Sequence, residues 1–141
     1  MGFRFTKYSF INALWSLIPI FPTWTLFPGL LAAMGLENIT GNCETGYEIV
    51  LWFSAVTVIV LMVFYGYRLD NILLKTESEV KRNFRFYSLI IYTLSNTVLL
   101  ITLVGVNLAC YGDGQTFLMC IISGPLASLV LIAFGLLMDL K

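Results

Sequence analysis

The chain has 141 residues, of which 59% are hydrophobic and 11% charged, against roughly a quarter charged in an ordinary soluble domain. Eight Lys and Arg balance eight Asp and Glu, and there is no His. This composition excludes a water-soluble globular domain and points to a single all-α polytopic membrane domain over residues 1–141. Four apolar runs, at about 10–35, 49–66, 86–109 and 117–138, each approach the roughly 20 residues that cross a hydrocarbon core of about 30 Å.

The first run is too long and too rich in proline for a cleaved signal peptide, so it reads as a signal-anchor and first span. Pro19, Pro22 and Pro28 each remove a backbone donor, which leaves the carbonyls of Trp15, Ile18 and Trp24 without their usual helical partners. The expectation is a kinked or interrupted first helix. It acts as a hinge or lines a cavity, or else its kinks are simply satisfied by neighbouring Ser and Thr. Gly29 and Ala33 in the same run form a small-residue face suited to close helix packing.

Cys43 lies between the first and second runs, and Cys110 at the end of the third. Both fall on the same predicted side, where an oxidising compartment would let them bridge and staple the two loops together. Cys120 is then a free thiol, and no Cys-x-x-Cys redox motif is present. Between the second and third runs, residues 67–85 carry Arg68, Lys75, Lys81, Arg82 and Arg85. Within them Thr76-Glu77-Ser78-Glu79 has the form of a capping box, which predicts a helix starting well before the third apolar run. Ile72, Leu73 and Leu74 keep the preceding stretch from being a plain polar loop. The segment is therefore expected to be a helical hairpin that meets anionic lipid or a soluble partner.

In the third run Thr93, Asn96 and Thr97 share one helical face. An amide at that depth needs a partner, as interhelical glue or as part of a pore or binding site. The fourth run has Gly124 and Ser128 at small-xxx-small spacing, with Ser123 and Ala127 beside them. Gly29 and Ala33 lie at a similar depth, so the two sets can face each other or another subunit. Aromatic residues at both margins, including Tyr8, Tyr65, Phe84 and Tyr87 on one side and Tyr47, Trp52 and Tyr111 on the other, read as interfacial anchors.

Charge fixes the expected orientation. All eight bases fall before the first run, between the second and third, or at the end, while the two remaining loops carry only Glu37, Glu44, Glu48 and Asp113. Positive residues are retained on the cytoplasmic side, so both termini and the 67–85 segment are expected inside the inner (plasma) membrane. No ionisable residue lies at hydrocarbon depth, which disfavours proton relays, coupled transport and intramembrane hydrolysis. No catalytic, cofactor-binding or metal-binding residue is expected, nor direct nucleic-acid binding.

The reading that follows is a non-catalytic subunit that lies in the bilayer, forms homo-oligomers and signals to a cytosolic protein. The alternatives are a small ion channel or pore, and an immunity or exclusion protein against a membrane-active toxin. In size and in its four-span, termini-inside layout the chain resembles the small membrane proteins of bacterial defence and exclusion systems, among them the membrane subunit of the Kiwa antiphage system. That resemblance implies an inner-membrane oligomer working with a soluble DNA-binding effector. It assigns no functional residue, and colicin-immunity proteins share the layout.

Overall fold

The computed structural model describes residues 3–18, 20–106, 110–112 and 117–141, without the side chains of residues 20, 22, 23, 25, 26, 117 and 118. Every regular element among them is a helix. Helix α1 spans Arg4–Ala13 and runs into a 3-10 turn, Leu14–Leu17, followed by α2, Ile20–Thr40. Helix α3 is Cys43–Leu73, α4 is Glu77–Leu100 with a π-helical extension over Ile101–Gly105, and α5 is Phe117–Leu140. Among the described residues three helices are long and apolar enough to cross a membrane: α3, α4 with its extension, and α5 from Met119.

The first apolar run is divided. At ten residues α1 is about 15 Å long, half a hydrocarbon core, and the chain leaves helical geometry at Ile18 with φ −86° and ψ 115°. A residue that precedes proline is driven out of the helical region by the ring, and Ile18 precedes Pro19. Pro19 itself lies outside the described residues. The two carbonyls stranded by this break are met locally: the Ile18 N–H donates to the Trp15 carbonyl at 3.0 Å, and the Phe21 N–H to that of Ile18 at 2.9 Å. Pro22 falls in the first turn of α2, where no donor is missed. Pro28 sits inside α2, which continues past it to Thr40.

The bundle has two distinct ends. At one, Asp139 near the end of α5 accepts from the backbone N–H groups of Phe5 and Thr6 at 2.9 and 2.7 Å. Arg4 pairs with Glu77 at the start of α4 at 3.7 Å, and Lys141 donates to the Gly66 carbonyl. The start of α1, the α3–α4 turn and the end of α5 therefore meet, which gathers the bases at a single basic end. At the other, Cys43 and Cys110 form a disulfide with Cα atoms 5.9 Å apart, and the Tyr111 hydroxyl donates to Glu44. The α2–α3 connection is here: Gly41, at φ +69°, closes α2 in the left-handed conformation that glycine adopts freely. Asn42 then caps α3, accepting from the Glu44 N–H at 3.1 Å.

Aromatic packing holds the basic end. Phe84 of α4 stacks on Phe134 of α5 with centroids 5.1 Å apart, Phe5 of α1 lies 5.1 Å from Phe84, and Tyr65 of α3 lies 5.5 Å from Phe134. Tyr65, Phe84 and, near the disulfide, Tyr47 are buried core residues. The expectation that these three are interfacial anchors gives way to an interior role, whereas Tyr67, Phe86, Trp52 and Tyr111 do remain exposed. Farther along, Trp15 and Phe21 stack across the break at 5.9 Å, and both meet Tyr92 of α4 edge-on. The outer face of α3 leaves Trp52, Phe53, Val56, Ile59, Val60 and Val63 uncovered, an apolar surface that suits lipid and not water.

Helices approach most closely where side chains are smallest. A Cβ on Gly135 of α5 would lie 2.3 Å from the Ser9 hydroxyl and 2.9 Å from the Phe5 carbonyl, so the α1–α5 crossing requires glycine. At Gly46 of α3 it would lie 2.8 Å from the Ala33 carbonyl of α2. The broken first run thus changes partner along its length: α1 packs along α5, and α2 packs along α3.

Candidate functional site

The basic end is built on the last turns of α3 and the first of α4. Leu69, Ile72, Val80 and Phe84 are buried there, so the two helices are packed against the bundle and against each other up to the turn. The Lys75 N–H closes that turn on the Ile72 carbonyl at 3.1 Å. The Glu79 carboxylate then accepts from the Thr76 N–H at 3.4 Å and from its hydroxyl at 3.1 Å, fixing the start of α4. Of the three apolar residues noted before the turn only Ile72 is buried, and Leu74 is 86% exposed at the tip.

The five bases of this segment do not form one patch. Lys81 lies 5.9 Å from the Tyr8 ring, on the flank of α4 that faces α1, and Arg85 follows it four residues later on the same face. Arg68 lies over the Phe64 ring at 5.3 Å on the opposite side. There, Phe64, Tyr65, Arg68, Asn71, Ile72 and Lys75 of α3 and its turn join Asn83 and Tyr87 of α4 to enclose a recess of about 210 Å³. A second recess of about 320 Å³ shares Lys75 and Asn83 and adds Glu79, Arg82 and Phe86. Among the described residues the pair Arg4–Glu77 is the one ion pair within 4.0 Å, so none of these five bases is held in one. No group of His, Cys, Asp and Glu among the described residues is placed to hold a metal.

Between α2, α3 and α4, residues from three sequence-predicted sets come together. Pro28 and Gly29 of α2 and Thr93 and Thr97 of α4 line one groove of about 390 Å³, whose other walls include Leu36, Val50, Phe53 and Leu94. A Cβ on Gly29 would lie 2.7 Å from the Thr97 methyl. The Thr93 and Thr97 hydroxyls donate back to the Leu89 and Thr93 carbonyls, each at 2.9 Å, which leaves the groove with an apolar lining. Asn96 is fully buried. Ala33 meets Gly46 of α3. The Ser128 hydroxyl lies 3.1 Å from its Gly124 carbonyl acceptor and 3.5 Å from that of Ala13, the last residue of α1. The two small-residue sets thus make contacts with α3, α4 and α1.

Several contributors have no signal in the sequence: the cap that Asp139 places on α1, the inward turn of Tyr65, and the placement of Asn83 in one recess with Arg68 and Lys75. Arg68 and Lys75 are seven residues apart on or beside one helix, which does bring them to one face. Comparison of the chain with protein-family models, with characterised proteins and with solved structures returned no match.

Proposed function

We propose that the protein is a non-catalytic integral membrane subunit whose basic end faces the cytoplasm and recruits an acidic soluble protein there. In this reading α1 and α2 together make one interrupted crossing and α3, α4 and α5 make three more. Both termini and the α3–α4 turn lie inside, and the disulfide lies in the oxidising compartment. The observation that carries it is the packed helical hairpin at the basic end, which holds Lys81, Arg82 and Arg85 exposed and free of ion pairs among the described residues. At 31 residues α3 is about 46 Å long, longer than a hydrocarbon core of about 30 Å requires. A connector that served only to reverse the chain would not need that extra length. The uncovered apolar face of α3 supports lipid contact or self-association, and the resemblance to small defence-system proteins makes an envelope sensor in antiphage defence the setting of choice.

The test is purification of the full chain from its native membranes, followed by mass measurement of the solubilised particle. The wild type should carry a soluble protein in stoichiometric amount, and Lys81→Glu/Arg82→Glu/Arg85→Glu should insert normally and lose it. A bare monomer from the wild type refutes the proposal. Reporters fused to the two termini should both read as cytoplasmic, and deletion should change phage plating if the defence setting holds.

A further inference from the structure

We infer that the recess between α3 and α4 at the basic end is a binding site for the phosphate of an anionic phospholipid, with a headgroup hydroxyl as its second point of recognition. Arg68 and Lys75 line it from one side, and none of its lining residues is acidic. Its net charge is thus two positive, concentrated in a concave site with low-dielectric walls from Phe64, Tyr65 and Ile72, where an anion is attracted more strongly than at a flat surface. At about 210 Å³ it falls short of the roughly 300–1,000 Å³ that encloses a whole small-molecule ligand. It suits a headgroup whose tails remain outside.

Two unsatisfied polar atoms give the site its chemistry. Tyr65 is 1% exposed, and its hydroxyl is buried with no hydrogen-bond partner. The Oδ1 atom of Asn83, also a lining residue, is likewise buried and unpartnered. A buried polar group left without a partner is costly, so both atoms favour a ligand that supplies what is missing once a small shift of the recess walls uncovers them. The phenol is a donor suited to a phosphate oxygen. The amide oxygen is an acceptor and needs a donor, which phosphate lacks and a headgroup hydroxyl provides. Phosphoglycerol carries both groups.

Position selects a lipid. Arg68 follows directly on the apolar stretch of α3, and Tyr67 beside it is 82% exposed, the arrangement of a helix leaving hydrocarbon for headgroups. The inference shares with the proposed function only the placement of the basic end at a membrane surface. It needs no soluble partner, and its cations, Arg68 and Lys75, are not those altered to test partner binding.

The experiment is native mass spectrometry of the full purified chain in detergent with phosphatidylglycerol, phosphatidylcholine or tail-free glycerol 3-phosphate added. Phosphatidylglycerol should bind one-to-one at concentrations where phosphatidylcholine does not. Arg68→Gln/Lys75→Gln should weaken it at least tenfold and Tyr65→Phe three- to tenfold, while Lys81→Gln/Arg85→Gln, on the far flank of α4, should leave it unchanged. Equal loss in that last variant would reduce the site to diffuse surface charge and overturn the inference. Competition by glycerol 3-phosphate at concentrations equal to the lipid would overturn it in favour of a soluble phosphate ligand. Tyr65→Phe removes one oxygen from a folded core, so if the double variant does not fold, wild-type affinity in Tyr65→Phe is decisive against it.

Discussion

Replacement of Asp139 by alanine should loosen the start of the chain. Helix α1 begins behind Phe3, which offers no capping side chain, so two of its first amides depend on α5. The Asp139 carboxylate accepts from the Phe5 and Thr6 N–H groups at 2.9 and 2.7 Å, and from the Thr6 hydroxyl at 2.6 Å. Loss of a helix cap costs about 1 kcal/mol, and hydrogen bonds to a charged group contribute about 1.5–3 kcal/mol each when buried. This carboxylate is half-exposed, and water can reach the released donors. The expected loss is therefore about 1–2 kcal/mol, near the lower bound of those ranges. Asp139→Asn keeps one acceptor oxygen and presents a donor where the second stood, so it should lose roughly half as much. The assay is reversible unfolding in detergent together with residue-resolved hydrogen exchange. In the alanine variant the Phe5 and Thr6 amides should exchange about tenfold faster, the equivalent of 1.4 kcal/mol in local opening. Wild-type exchange and an unshifted unfolding midpoint in Asp139→Ala would refute the reasoning.

Gly135→Ala should destabilise by about 1–3 kcal/mol, because the Phe5 carbonyl is backbone and cannot turn aside. Adding Ser9→Ala should recover part of that loss by removing the nearer clash. Gly35→Ala is the matched control: nothing lies within 4 Å of its added methyl, so the helix should gain about 0.5–1 kcal/mol, and a loss there would contradict the placement of α2. Cys43→Ser should raise the fraction unfolded in a denaturant titration and abolish the mobility shift on reduction. The bridge joins residues 67 apart, and chain entropy sets an upper bound of about 4 kcal/mol for such a loop.

Local signals were the legible ones. Thr76 and Glu79 marked a helix start because a capping box is written within four residues. Ile18 before Pro19 marked a break because the ring acts on its own neighbour. The pairing of Cys43 with Cys110 could be anticipated once both were assigned to one side. Tyr65 and Phe84 could not be told from anchors, since a ring that packs inward at the end of a span occupies the same sequence position as one that faces headgroups. Asp139 was equally silent: its acceptors serve amides 134 and 133 residues away, and nothing near it in sequence hints at them. The recess needed both helices at once, since Arg68 and Lys75 are legible as bases but Asn83 and Tyr65 become meaningful only when packing leaves their polar atoms unpaired.

The pairing of α1 with α5 sets an order on biosynthesis. The ribosome delivers α1 first and α5 last, yet Gly135 must be under Ser9 and Asp139 at the amides of Phe5 and Thr6 before α1 has its native surroundings. While α2, α3 and α4 are being made, a short helix with Ser9 and Asn12 on its inward face waits without its neighbour. The Cys43–Cys110 bridge can close earlier, as soon as the chain has been made through Cys110. Of these helices, α1 is thus completed by the one made last.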